Sequence, residues 1–145
     1  MGGINIGRWI GSGVAAGMFI WVVEGAASLL YMEEVESALA AHGLEMGVSG
    51  ATLMLATLLS LLVGLVLMFF YAAARPRFGP GPATAVKVAV ALWCGGLLVS
   101  VIGYAMIGLY PGSILVVWGI VGLVEMILAA LLGGWIYREG PIRAR

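Results

Sequence analysis

Apolar positions along this chain gather into four long runs, each set off from the next by a short polar or proline-rich break. The first runs from about Trp9 to Tyr31 and is interrupted only by Glu24. The second, Gly50 to Ala74, carries no charge; the third, Ala83 to Ile107, has Lys87 near its start; the fourth, Ser113 to Tyr137, is interrupted only by Glu125. A helix crosses the hydrocarbon core of a bilayer with roughly 20 apolar residues at ~1.5 Å rise per residue, and every run meets that length. The pattern predicts an all-α integral membrane four-helix bundle, with residues 1–145 forming a single transmembrane domain. The first run is too long for the apolar core of a secretory leader and reads as a retained span.

The breaks predict the connections. Between the second and third runs the chain reads Arg75-Pro76-Arg77-Phe78-Gly79-Pro80-Gly81-Pro82. Three prolines fix φ and withhold backbone donors, so this segment is expected to be a stiff, non-helical turn. Between the first and second runs, Val35 and Leu39 stand one helical turn apart beside Glu33, Glu34 and Glu36, which predicts a short helix lying on the membrane surface. Tyr110-Pro111-Gly112-Ser113 predicts a short third connection with Ser113 as the helix N-cap.

Composition strengthens the membrane reading. Of the 145 residues, 63% are hydrophobic and 10% charged, and the mean hydropathy is +1.13. A soluble domain has about a quarter of its residues charged, so this chain cannot clothe a water-facing surface. Glycine, at 23 residues, suits close approach of membrane helices. The net charge of zero argues against nucleic-acid binding, and the four runs leave no room for a soluble domain.

Charge placement sets the expected orientation. Arg8, Arg75, Arg77, Lys87, Arg138, Arg143 and Arg145, all seven basic residues, fall on one side of the four runs, whereas Glu33, Glu34, Glu36 and Glu45 fall on the other. Positive residues stay on the cytoplasmic side, so both termini are expected there. Lys87 lies close enough to that end to snorkel. Trp9, Tyr71, Trp135 and Tyr137 are expected at the inner interface and Tyr31, Tyr104, Tyr110 and Trp118 at the outer one, with Trp21 and Trp93 packed between helices. Arg75 and Arg77 are candidate contacts for lipid headgroups, although topology anchors in a tight turn need no further role.

Two carboxyls remain inside the runs. Glu24 lies ~10 Å and Glu125 ~18 Å from the outer end, counting ~1.5 Å per residue. A charged side chain at mid-membrane costs roughly 2.5–3.5 kcal/mol on insertion scales and marks a functional site by default. Helical spacing puts Glu24 on a face with Gly13, Gly17 and Ser28, and Glu125 on a face with Gly122, Ala129 and Gly133. Thr57, Ser60 and Gly64 share a face in the second run, as do Gly96, Ser100 and Gly103 in the third. Glu24, Glu125, Ser28, Ser60 and Ser100 therefore form a candidate polar layer at the bundle centre. Two roles fit it: protonated carboxyls hydrogen-bonded to the serines or to each other as interhelical glue, worth around 0.6 kcal/mol per bond, or a site that exchanges protons or cations.

Catalytic chemistry is not indicated. No Asp is present, and the lone His42 sits in a loop near Glu45 without a recognised metal-ligand spacing, so neither a hydrolytic metal centre nor haem ligation is expected. The single Cys94 makes no internal disulfide and no CxxC redox pair. Bound lipid, quinone or pigment needing no His ligand stays open. The segment Tyr71-Ala-Ala-Ala-Arg75 through Pro82 resembles small, uncharacterised bacterial four-span proteins that carry R-P-R-F-G-P-G-P in an inner loop. That resemblance implies a bacterial inner membrane and no particular activity. Two functional expectations follow. One is a non-enzymatic accessory or structural subunit that packs with itself or with a larger membrane complex; the other is a small proton- or cation-coupled transporter or channel using Glu24 and Glu125.

Overall fold

In the computed structural model, which describes residues 4–137, the chain is all-helical. Four stretches are long and apolar enough to cross a membrane: α1 (Ile6–Ser28), α3 (Gly50–Phe78), the third span Pro82–Ile107, and α6 (Gly112–Ile136). The third span is composite. It consists of α4 (Pro82–Trp93), a π-helical stretch Cys94–Leu98 and α5 (Val99–Ile107). A short helix α2 (Met32–Ala41) links the first two spans. Arg8, Arg75, Arg77 and Lys87 lie at the end of the bundle that holds the termini, while Arg138, Arg143 and Arg145 lie outside the described residues.

Local signals explain most of the ends. Asn5 caps α1 by accepting the Arg8 N–H at 3.0 Å. Ser49 caps α3 through a reciprocal pair with Thr52: its hydroxyl accepts the Thr52 N–H at 3.2 Å, and its own N–H donates to Thr52 Oγ1 at 2.7 Å. Gly108, at φ 67°, ends α5 in a left-handed conformation that a side chain would disfavour.

Two connections and one side chain differ from expectation. Helix α3 continues through Arg75, Pro76 and Arg77 to Phe78, so the turn is only Gly79–Gly81. Proline so close to a helix C-terminus withholds a single backbone donor, and the helix survives the loss. The turn is pinned instead by Thr84 Oγ1 donating to Gly79 O at 2.8 Å and by the Gly81 N–H donating to the Tyr71 hydroxyl at 3.2 Å. Ser113 does not cap α6; the N-cap is Pro111, and the Ser113 hydroxyl reaches Glu34 Oε2 at 3.4 Å, fastening α2 to α6. Trp21 is 40% exposed and faces the lipid side rather than another helix. The surface helix α2 does form, anchored by Val35 against Tyr31, Ala27 and Ile114.

Packing is uneven along the bundle axis. Along the α1–α3 seam, from mid-helix towards the termini, the helices meet almost backbone to backbone. A Cβ added to Gly64 would lie 2.6 Å from the Cα of Gly17, and one added to Gly17 would lie 2.7 Å from the Cα of Leu61. The Trp9 indole N–H crosses this α1–α3 seam to Leu65 O at 2.8 Å. Met68 fills the space over Gly133, and Ala85, Ala89, Ala129 and Ala130 bring α4 against α6. At the α2 end the order loosens. Helix α3 packs on α4 but not appreciably on the π-helical stretch or α5. Val99, Ile102, Met106 and Ile107 on the α2-end half of the third span are accordingly exposed. Gly96 and Gly103 there have no neighbour within 4 Å of an added Cβ, so the small-residue face of the third span meets no other helix of this chain.

Candidate functional site

The loosened half of the bundle encloses a cavity of about 560 Å³, with walls from α1, α3, the third span and α6. Helix α3 contributes Leu62, Val63 and Val66, a wholly apolar wall. Across it stand Trp93, Gly96, Leu97 and Ser100, which straddle the π-helical stretch. A π-helical turn inserts extra backbone into an α-helix and re-aims the side chains on either side of it; such turns recur at functional sites. Here Trp93 is held in place by its indole N–H donating to Gly119 O on α6 at 3.0 Å. Leu97 packs onto Gly122, where an added Cβ would meet Leu97 Cδ1 at 2.8 Å.

Both intramembrane carboxyls line this cavity. Glu125 comes from α6 and is 6% exposed; its Oε2 atom is buried with no hydrogen-bond partner. Glu24 comes from α1, is exposed, and is a direct neighbour of the Glu125 carboxyl. Glu24 Oε1 accepts a short hydrogen bond from the Tyr31 hydroxyl. Burial first, and then the Glu24 carboxyl, push Tyr31 well above the usual range for a tyrosine, so its hydroxyl stays a donor. No Lys or Arg lines the cavity, and the carboxyl pair lacks a cationic counterpart there.

An aromatic group closes the α2 end. Trp118 sits at its centre, edge-to-face with Tyr110 at 4.9 Å, Tyr31 at 5.8 Å and Tyr104 at 6.1 Å between ring centroids. Tyr104 and Trp118 belong both to this group and to the cavity wall. At the other end Ile20, Val66, Leu92 and Met126 form the floor, and the tight alanine and glycine packing below it separates the cavity from the termini end.

Of the residues the sequence placed in one polar layer, Glu24, Glu125 and Ser100 do meet at the cavity. Ser28 and Ser60 do not line it. Each serine hydroxyl donates to a carbonyl of its own helix: Ser28 to Gly25 O at 2.8 Å, Ser60 to Ala56 O at 3.0 Å, and Ser100 to Gly96 O at 3.1 Å. None of them bonds a carboxyl, so the serine-to-carboxyl part of the expected glue is absent, while the Glu24 and Glu125 carboxyls interact with each other between α1 and α6. Sequence reasoning also missed Trp93, Tyr31, Tyr104 and Trp118 as parts of the site. Their indole and phenol groups were legible only as interfacial or packing residues. His42 bonds Ala38 O through Nδ1 at 2.8 Å in its loop, and no group of three His, Cys, Asp or Glu side chains suited to a metal occurs among the described residues.

Arg75 and Arg77 diverge. Arg75 lines a second cavity of about 440 Å³ at the termini end, with Tyr71, Pro80 and Tyr137, and its guanidinium lies 5.2 Å from the Tyr137 ring centroid. Arg77 lies 5.9 Å from the ring of the exposed Phe78. Comparison of the chain with protein families, curated proteins and solved structures finds no match.

Proposed function

We propose that this chain is a small membrane carrier that binds a proton or a cation at the paired carboxyls of Glu24 and Glu125. One observation carries the reading: Glu125 is buried at mid-bundle with an oxygen that no protein group satisfies, and it faces a cavity. A carboxyl kept for structural bonding would have its oxygens paired, because an unsatisfied buried acceptor costs about 1–3 kcal/mol. Retention of a group that is expensive to insert and keeps one oxygen unsatisfied once folded is the expected signature of a binding site. The charge asymmetry between the two ends supports cytoplasmic termini. The loop resemblance supports a bacterial inner membrane, multi-pass. Reconstitution into liposomes tests the reading. Proton or monovalent-cation flux should be present with the native chain and fall at least tenfold in Glu125→Gln, while a screen across cations and pH without flux refutes it.

A second reading, a non-enzymatic subunit that packs with itself or with a larger complex, is favoured by the open Gly96 and Gly103 positions on the third span. It predicts a native-detergent particle well above the 15.1 kDa chain, and a monomer in native mass spectrometry counts against it.

A further inference from the structure

The cavity around Glu125 is far larger than a bare ion requires. Inorganic cations are held by close oxygen cages, six to eight ligands for calcium. The oxygens that line this space are two carboxyls, the Ser100 hydroxyl, already given to Gly96 O, and the Tyr104 phenol. Sites for small organic molecules, in contrast, run from about 300 to 1,000 Å³ and are mostly apolar with a few polar groups that fix orientation. At about 560 Å³ the cavity falls in that range.

Its lining narrows the chemistry further. Leu62, Val63, Val66, Leu92, Leu97 and Val101 offer an apolar wall that matches hydrocarbon or aromatic substituents. Trp93, Tyr104 and Trp118 add three aromatic rings, whose faces attract cations. Both charged groups are acidic, and the more buried of them lines the space with one carboxyl oxygen that has no hydrogen-bond partner. An anion would meet two carboxyls and no donor charge, and a neutral apolar molecule would leave the acidic pair without a counter-charge. The open side completes the picture. The gap lies between α3 and the α2-end half of the third span, where Leu62, Val63 and Val66 are exposed, so the cavity opens sideways toward lipid.

From this we infer that the solute is a lipophilic organic cation, taken up from the bilayer between the second and third spans and held with its charge at Glu125 and Glu24. The inference rests on the carrier reading above and names its substrate class.

Equilibrium binding of tetraphenylphosphonium to the purified full chain in detergent micelles tests it, with tetraphenylborate as an anion of matched size and apolarity. Tetraphenylphosphonium should bind saturably and tetraphenylborate should not. Glu125→Gln should weaken cation binding at least tenfold. Should Glu125→Gln fail to fold, Glu24→Gln, at an exposed position, carries the same expectation of weakened binding. Equal binding of both ions, or cation binding unchanged in a folded Glu125→Gln or Glu24→Gln variant, overturns the inference. If tetraphenylphosphonium does not bind while liposomes show Glu125-dependent flux of protons or inorganic cations, the substrate class is wrong and the carrier reading stands. If neither binding nor flux is found, both fall.

Discussion

The α1–α3 seam is the tightest contact in the bundle, and substituting Gly64 by alanine tests whether it holds the fold together. The new methyl group would sit 2.6 Å from the Cα of Gly17 and closer still to the Gly13 carbonyl oxygen and the Gly17 nitrogen. Carbon atoms pack comfortably at about 3.5–4.0 Å, so the two helices must separate by roughly 1 Å. The obstacle is backbone, which no rotamer change can clear, and overpacking of this kind costs about 1–3 kcal/mol. Separation also stretches the Trp9 indole bond to Leu65 O, now 2.8 Å, past useful length, which adds about 1 kcal/mol. The expected loss is therefore about 2–4 kcal/mol. Gly96→Ala is the matched control, because an added Cβ there meets nothing within 4 Å; it should change stability by less than about 0.5 kcal/mol. Reversible unfolding in mixed detergent micelles, followed by far-ultraviolet circular dichroism, gives both numbers. Equal stability of the two variants would show that close backbone contact between α1 and α3 is not what orders this half of the bundle.

Other consequences follow from single contacts. Val35→Ala removes two methyl groups from a side chain that is 5% exposed; it should cost about 1.5–3 kcal/mol locally and speed proteolysis within α2 while leaving the spans folded. Trp93→Phe deprives Gly119 O of its 3.0 Å donor, should cost about 1 kcal/mol, and should raise hydrogen exchange in the adjoining π-helical stretch. Burial holds the hydroxyls of Tyr31 and Tyr110 above the ordinary value of 10.0 in the folded state. The unfolded chain therefore releases these protons first as pH rises, so stability should be level below about pH 10 and fall above it. Replacing both tyrosines by Phe should flatten that fall, and an unchanged alkaline limb in the double variant would contradict it.

The extent to which the sequence could be read depended on what constrained each feature. Span limits fell within a few residues of the helices because bilayer thickness restricts how long an apolar run must be. The meeting of Glu24 and Glu125 was legible because each lies on the glycine-bearing side of its helix, and Gly13, Gly17 and Gly122 do pack against other helices. The same signal misled on the third span: Gly96 and Gly103 have the spacing of a packing face yet touch nothing, since spacing says what can approach and not what does. The serines were misplaced for a local reason. A hydroxyl in a helix finds a carbonyl three or four residues back more readily than a partner across the bundle, and Ser28, Ser60 and Ser100 all do so. The π-helical stretch, which orients Trp93 and Ser100, leaves no mark in the pattern of apolar positions.

Two faces of α3 answer different physical demands. With no hydrophobic force between helices in lipid, association depends on close van der Waals contact, and small residues supply it. The α1–α3 seam uses Gly13, Gly17 and Gly64 in that way, and alanines pack α4 against α6 towards the termini. On another face the third span stands off from α3, and the space it leaves is lined by Glu125, whose Oε2 is the one buried carboxyl oxygen without a partner among the described residues. Closing that gap with larger apolar side chains would add contact, and replacing Glu125 with an apolar residue would remove an insertion cost of roughly 2.5–3.5 kcal/mol. Both changes are open to a bundle that needs only to be stable. That the chain makes neither, while packing another face of α3 to backbone contact with α1, is the physical case for reading the cavity as the part that acts and the glycine seam as the part that holds it in place.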